Sequence, residues 1–268
     1  MRRTGLPMTH AAVEETRQRN SPAWRAAWLA LERYFWNSQR PWTVLWFVLP
    51  PIVLYEAGTV FFARDCQTQT ETRILAFILM RDFLAMWGAV GQYLPCFVVI
   101  AVLLTWHIIV RDPWRVELKH TAGMWLESAM LAMPIFAMNG AVNYYVPLLS
   151  AEGRAVGAGV VLALGAGVYE EAVFRMIAFA VLSFALVDLL KINKAASAVI
   201  IVVLSALAFA AYHYWSPEAT PVNLRDFTFR TVAGVYLGTI YLFRGLGISI
   251  GAHIIYDVVY FVSNPPSP

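Results

Sequence analysis

Apolar runs of about twenty residues, repeated along the chain, limit what this sequence can fold into. Twenty residues is the length of helix that crosses the hydrocarbon layer of a bilayer. Of 268 residues, 59% are hydrophobic and 14% charged, whereas a soluble domain averages about 25% charged. One globular core cannot absorb so many apolar blocks. The chain is therefore read as all-α, a polytopic transmembrane helical bundle. Its ten Trp and twelve Tyr suit that class, because both residues favour the membrane–water interface. The expected location is an integral, multi-pass place in a membrane, the inner or plasma membrane in a bacterium, with the lipid bilayer as a partner.

Residues 1–41 form the one long polar segment, with seven Arg against three Glu. Arg2-Arg3 precedes no apolar stretch, so no cleavable signal peptide is expected. From Pro22 onward the sequence suits either a basic cytoplasmic tail or an interfacial helix with Trp24, Trp28, Leu31 and Phe35 on one face. Membrane helices are expected over 42–62, 93–110, 121–142, 155–190, 195–215, 227–243 and 248–262. Pro50-Pro51 should kink the first. The apolar stretch 74–90 contains Arg81-Asp82 and reads equally as a short span or as a re-entrant or interfacial helix, so the bundle has seven to eight spans. The division that follows is a tail (1–41), N-terminal membrane helices (42–120), a catalytic membrane core (121–263) and a C-terminal tail (264–268). The net charge of +3 is scattered at segment ends and in the tail, and no nucleic-acid partner is expected. Cys66 and Cys96 lack CxxC or metal spacing and are expected to stay unpaired. His107 and His120 are expected to be hydrogen-bonded core residues.

The run 155–190 is too long for a straight span: 36 helical residues reach about 54 Å against a core of about 30 Å. It must tilt, kink or emerge. Four glycines, Gly157, Gly159, Gly165 and Gly167, precede the middle of the run and should let neighbouring helices approach closely. After them come Glu170, Glu171 and Arg175. Charges at membrane depth are costly and persist when paired or facing a polar cavity, so they mark a candidate site. Glu171 and Arg175 are one helical turn apart and can pair. Glu170, about 100° round the helix, cannot face Arg175 equally well.

Two later spans supply partners. His213 closes Phe209-x-x-x-His213, and His253-x-x-x-Asp257 places both residues on one helix face. Two chemistries fit these groups, and both hydrolyse an acyl bond inside the membrane. In one, Glu170 is a general base on a water that His213 holds, while His253 and Asp257 stabilise an oxyanion. In the other, Glu170, His213 and His253 bind a metal such as Zn²⁺, which lowers the pKa of its bound water to about 7. No HExxH is present, so a zincin helix is excluded. The cofactor is thus either none or zinc.

Glu170-Glu171-x-x-x-Arg175, Phe209-x-x-x-His213 and His253-x-x-x-Asp257, in this order on three apolar segments, resemble the CPBP family. These are the CAAX prenyl proteases and bacteriocin-processing enzymes, also called the Abi family, some of them described as metalloproteases. The resemblance covers about residues 121–262. It implies an intramembrane endopeptidase acting on a protein or peptide substrate. Glu170 would activate water with His213, His253 and Asp257 would form the oxyanion site, and Arg175, Glu171 and Phe209 would orient the cluster. Asp257 stands where the prenyl-protease branch carries Asn and bacterial relatives carry Asp. The alternatives are a non-catalytic membrane chaperone or immunity-type protein that keeps the cluster for packing, and a proton-coupled transporter using the same carboxylates.

Overall fold

A computed structural model describes residues 21–63, 71–143, 156–215 and 221–263. The first twenty residues, Cys66, most of the loop expected over 143–153 and the tail 264–268 lie outside the described residues. Nine helices run through the described chain: α1 Pro22–Ser38, α2 Pro41–Phe62, α3 Leu75–Met86, α4 Leu94–Val110, α5 Leu118–Asn143, α6 Val156–Leu189, α7 Lys194–Tyr212, α8 Leu224–Arg244 and α9 Leu246–Ser263. There is no strand of a sheet among the described residues.

The chain divides into two units, residues 1–37 and 38–268. In the first, α1 exposes Trp24, Trp28, Leu31 and Phe35. Trp24 and Trp28 stack with centroids 6.3 Å apart, and the Ser21 hydroxyl accepts the Trp24 N–H at the helix start.

In the second unit the helix ends follow local chemistry. Pro41 opens α2, where a missing N–H costs nothing. Asn193 caps α7 by accepting the Ala196 N–H at 2.8 Å, and Asn223 caps α8 by accepting the Arg225 N–H at 3.0 Å. A single residue, Gly245, joins α8 to α9 at φ +82°, a conformation that glycine adopts without strain. Helix α2 continues through both Pro50 and Pro51.

Among the described residues, five helices are long and apolar enough to cross a membrane: α2, α5 up to Ala141, α6, α7 and α9. Helix α4 is apolar but only 17 residues long. Helix α8 is long enough but opens with Arg225, Asp226 and Arg230. The ambiguous stretch 74–90 resolves into α3, 12 residues or about 18 Å, too short to span. It turns Ala76, Phe77 and Met80 inward and leaves Phe83 and Met86 exposed. Arg81 and Asp82 pair at its surface, 2.9 Å apart.

Lipid tails are as apolar as leucine, so close packing must hold these helices together. The glycines of α6 provide it on two sides. A Cβ at Gly165 would collide with the Tyr55 ring of α2, and one at Gly167 with Ile254 of α9. Gly157 and Gly159 repeat the pattern two turns earlier, against Phe62 and Phe261. Helix α6 is thereby wedged between α2 and α9, and α9 also packs against α5 and α8.

One expectation fails in its detail. His107 is buried, but neither ring nitrogen has a hydrogen-bond partner. It packs between Trp42 and Trp114, with ring centroids 5.4 and 4.2 Å away. An aromatic cage holds this histidine, where a hydrogen bond was expected. His120 lies 3.9 Å from Glu117. Cys96 is buried with a free thiol.

Candidate active site

The middle of α6 departs from α-helical winding. Ala166–Glu170 and Ala172–Ile177 are π-helical, with i→i+5 hydrogen bonds and a smaller rotation per residue than an α-helix. Such wide turns are frequent at functional sites. Here both adjacent carboxylates face the protein: Glu170 is 6% exposed and Glu171 fully buried. The close passage at Gly167 brings α9 near enough for its side chains to reach them.

Glu171 is the better satisfied of the two. Its Oε1 lies 3.0 Å from Arg175 Nη1 and 2.9 Å from His253 Nδ1, and its Oε2 accepts from the Ser249 hydroxyl. The Arg175 contact has the distance of an ion pair without the alignment of a hydrogen bond. Arg175, itself fully buried, donates through Nη2 to the Gly234 carbonyl at 3.2 Å. Gly234 can offer that carbonyl because α8 passes against Ala206 there, too close for a side chain. The guanidinium sits 4.7 Å from the Phe209 ring centroid, a cation–π contact.

Glu170 is held more lightly. Its Oε1 accepts from the Tyr212 hydroxyl at 3.2 Å, and its Oε2 lies 3.8 Å from His253 Nε2. Asp257 Oδ2 is 3.4 Å from the same nitrogen. His253 therefore stands among three carboxylates. A carboxylate accepts, so Nδ1 carries a proton toward Glu171 and Nε2 is the nitrogen that faces Glu170 and Asp257.

His213 ends α7 and is reached through Phe209. Its Nδ1 lies 2.8 Å from the Phe209 carbonyl. A carbonyl can only accept, so Nδ1 holds the proton and Nε2 of the neutral ring keeps its lone pair. The Phe209 ring packs against both histidines, at 4.9 Å from His213 and 5.9 Å from His253. Phe209 thus touches Arg175, His213 and His253 together.

A metal on Glu170, His213 and His253 needs three donors directed at one point. Among the described residues, no group of three His, Cys, Asp or Glu side chains is placed to hold a metal ion. Glu171 occupies His253 Nδ1, whereas the bond from His213 Nδ1 to a backbone carbonyl leaves its Nε2 free.

The motif residues Glu170, Glu171, Arg175, His253 and Asp257 meet directly, Phe209 lines them, and His213 stands beside them without a hydrogen bond to Glu170. Three contributors lie outside the motifs. Ser249 is four residues before His253, so the stripe Ser249, His253, Asp257 continues one helix face and was readable by spacing. The Gly234 carbonyl and the Tyr212 hydroxyl gave no such signal.

A second polar cluster backs the site. Tyr169, next to Glu170 in sequence, donates its hydroxyl to Glu56 Oε1 at 2.8 Å. Arg73 pairs with the other oxygen of Glu56 and lies 2.7 Å from Glu71. Burial works against the Arg73 charge, but Glu56 and Glu71 outweigh it and hold the guanidinium above its ordinary pKa. The Phe77 and Tyr55 rings lie 4.7 and 5.2 Å from that guanidinium.

Residues 153–259 match the family model of the type II CAAX prenyl endopeptidases, Rce1-like. The match takes in all three motifs and leaves the chain before residue 153 outside. Comparison with curated proteins and with solved structures found no match. Over the matched segment the chain is similar to the CPBP/CAAX protease family, as the motifs led one to expect. With five apolar helices of spanning length, it is an integral, multi-pass membrane protein.

Proposed function

We propose that this protein is an intramembrane endopeptidase of the CAAX-protease type, which hydrolyses a peptide bond through a water activated by Glu170. The observation that carries this reading is the unequal treatment of two adjacent carboxylates. Glu171 is locked by Arg175, His253 and Ser249, whereas Glu170 turns one oxygen toward His253 and keeps it free of any close bond.

Glu170 takes a proton from water as the water oxygen attacks the scissile carbonyl. His213, through its free Nε2, orients that water. The carbonyl oxygen gains negative charge and accepts a hydrogen bond from His253 Nε2–H, an oxyanion-site role. As the C–N bond breaks, Glu170 returns the proton to the leaving amine, so atoms and charge balance. Asp257 orients His253, and Arg175 with Glu171 and Phe209 keeps the cluster assembled. In the same reading, α4 and α8 join the five apolar helices of spanning length as spans, seven in all, and α1 lies on the membrane surface through its Trp, Leu and Phe face.

The test is cleavage by the purified full chain of quenched-fluorescence peptides, farnesylated and unfarnesylated, ending in a CAAX sequence, with and without a strong chelator. Cleavage that survives the chelator is expected. Cleavage abolished by the chelator and restored by zinc contradicts the metal-free mechanism.

A further inference from the structure

A tyrosine hydroxyl has one proton to give and lone pairs to accept with. The Tyr212 hydroxyl, at the end of α7, accepts the backbone N–H of Ala76 at 2.7 Å. The Ala76 nitrogen can only donate in that contact. The single Tyr212 proton is therefore left for Glu170 Oε1, 3.2 Å away. The ring is fixed from its sides by Phe174, at 5.1 Å, and His213, at 5.0 Å, and the residue is buried.

Ala76 belongs to the first turn of α3, where N–H groups have no partner inside the helix. Two such donors find tyrosines: Ala76 goes to Tyr212, and Ile74, at the helix cap, goes to the Tyr55 hydroxyl at 3.3 Å. The two tyrosines differ in one respect. The hydroxyl of Tyr212 continues to a carboxylate of the candidate active site, and that of Tyr55 does not.

We propose that Tyr212 is a positioning residue for Glu170. Oriented by the start of α3, its hydroxyl holds one carboxylate oxygen and leaves the other to work against His253. The inference rests on Glu170 being the base, and it assigns a role to a residue and a helix that belong to none of the three motifs. The short helix α3 thereby gains a purpose, since its first turn directs the Tyr212 proton toward Glu170.

Tyr212→Phe removes the hydroxyl and keeps the ring, and Tyr55→Phe is the matched control, since it removes the other tyrosine anchor of α3 without touching Glu170. In a double-mutant cycle on thermal unfolding of the purified full chain, Tyr212→Phe and Glu170→Ala are expected to be non-additive, and Tyr55→Phe and Glu170→Ala additive. This reading needs no substrate, and additivity in the first cycle overturns the proposal. With the farnesylated CAAX peptide as probe, Tyr212→Phe is expected to lower kcat by about tenfold to a hundredfold, the worth of a hydrogen bond to a charged group. KM should stay within about twofold, and Tyr55→Phe should leave both constants within about twofold. Equal losses from the two variants, or a loss confined to KM, overturn the proposal. Wild-type cleavage by Glu170→Ala instead removes the base on which it rests, a failure told apart by that variant alone.

Discussion

Glu170 Oε2 and His253 Nε2 face each other across 3.8 Å, from two helices that touch because residue 167 has no side chain. The distance is too long for a hydrogen bond and short enough for one small group to contact both. In the mechanism proposed above, this gap is where a water and a scissile carbonyl would meet a base and a donor. Its width is set by packing elsewhere: Glu171 draws in His253 from the other ring nitrogen, and Gly167 lets α9 approach.

Gly167→Val tests that dependence. A side chain here meets Ile254 Cγ1 and also the Ile254 nitrogen and Ile250 oxygen of the α9 backbone. Overpacking of this kind costs about 1–3 kcal/mol. The variant is expected to unfold at lower temperature and to lose most of its activity, because α9 carries His253 away from Glu170. Pairing it with Ile254→Ala should recover part of the stability, since only the side-chain collision is relieved. Thermal unfolding in detergent and peptide cleavage measure the two effects.

Arg175 is the interior charge that most needs its partners. Arg175→Met leaves Glu171 buried with His253 and Ser249 but without its cation. Breaking a buried pair from one side costs about 3–5 kcal/mol. The expected result is a strongly lowered unfolding midpoint, while Arg81→Met, at an exposed pair on α3, should shift it by less than about 1 kcal/mol. Equal shifts for the two would show that the Arg175 pair is not structural.

Asp257 reaches His253 through one oxygen, 3.4 Å from Nε2. Asn can keep an acceptor at that place and Ala cannot. Asp257→Asn is expected to retain activity within about tenfold and Asp257→Ala to lose about a hundredfold, within the range that positioned acid–base groups contribute. The two kcat values on one peptide check this ordering.

Much of the site could be read from charge lying where charge is costly. Glu170, Glu171, Arg175, His253 and Asp257 stand out because the surrounding residues are apolar, and one-turn spacing pairs Glu171 with Arg175 and His253 with Asp257. The glycines before Glu170 announced close packing but not which helices would fill it. Other features depend on what only the fold brings near. Helix α3 resembled a possible span because Phe83, Met86 and Trp87 continue its apolar run, yet its helix stops at 12 residues. Nothing local to Tyr212 announces that Ala76 will donate to it. The π winding on either side of Glu171 is likewise silent in the sequence. His107 looked like any polar core residue, and its stacking on Trp42 depends on a helix some sixty residues earlier in the chain.

Glu170→Gln, the smallest change that removes the base, gives the most direct measurement. The amide keeps the volume and can still accept from Tyr212, so the fold should hold while water activation is lost. The kcat for cleavage of a CAAX peptide, measured beside the unfolding midpoint of the same preparation, is expected to fall by about 10²–10⁴-fold with the midpoint preserved. A folded Glu170→Gln protein that cleaves at the wild-type rate would contradict the assignment of Glu170 as the catalytic base.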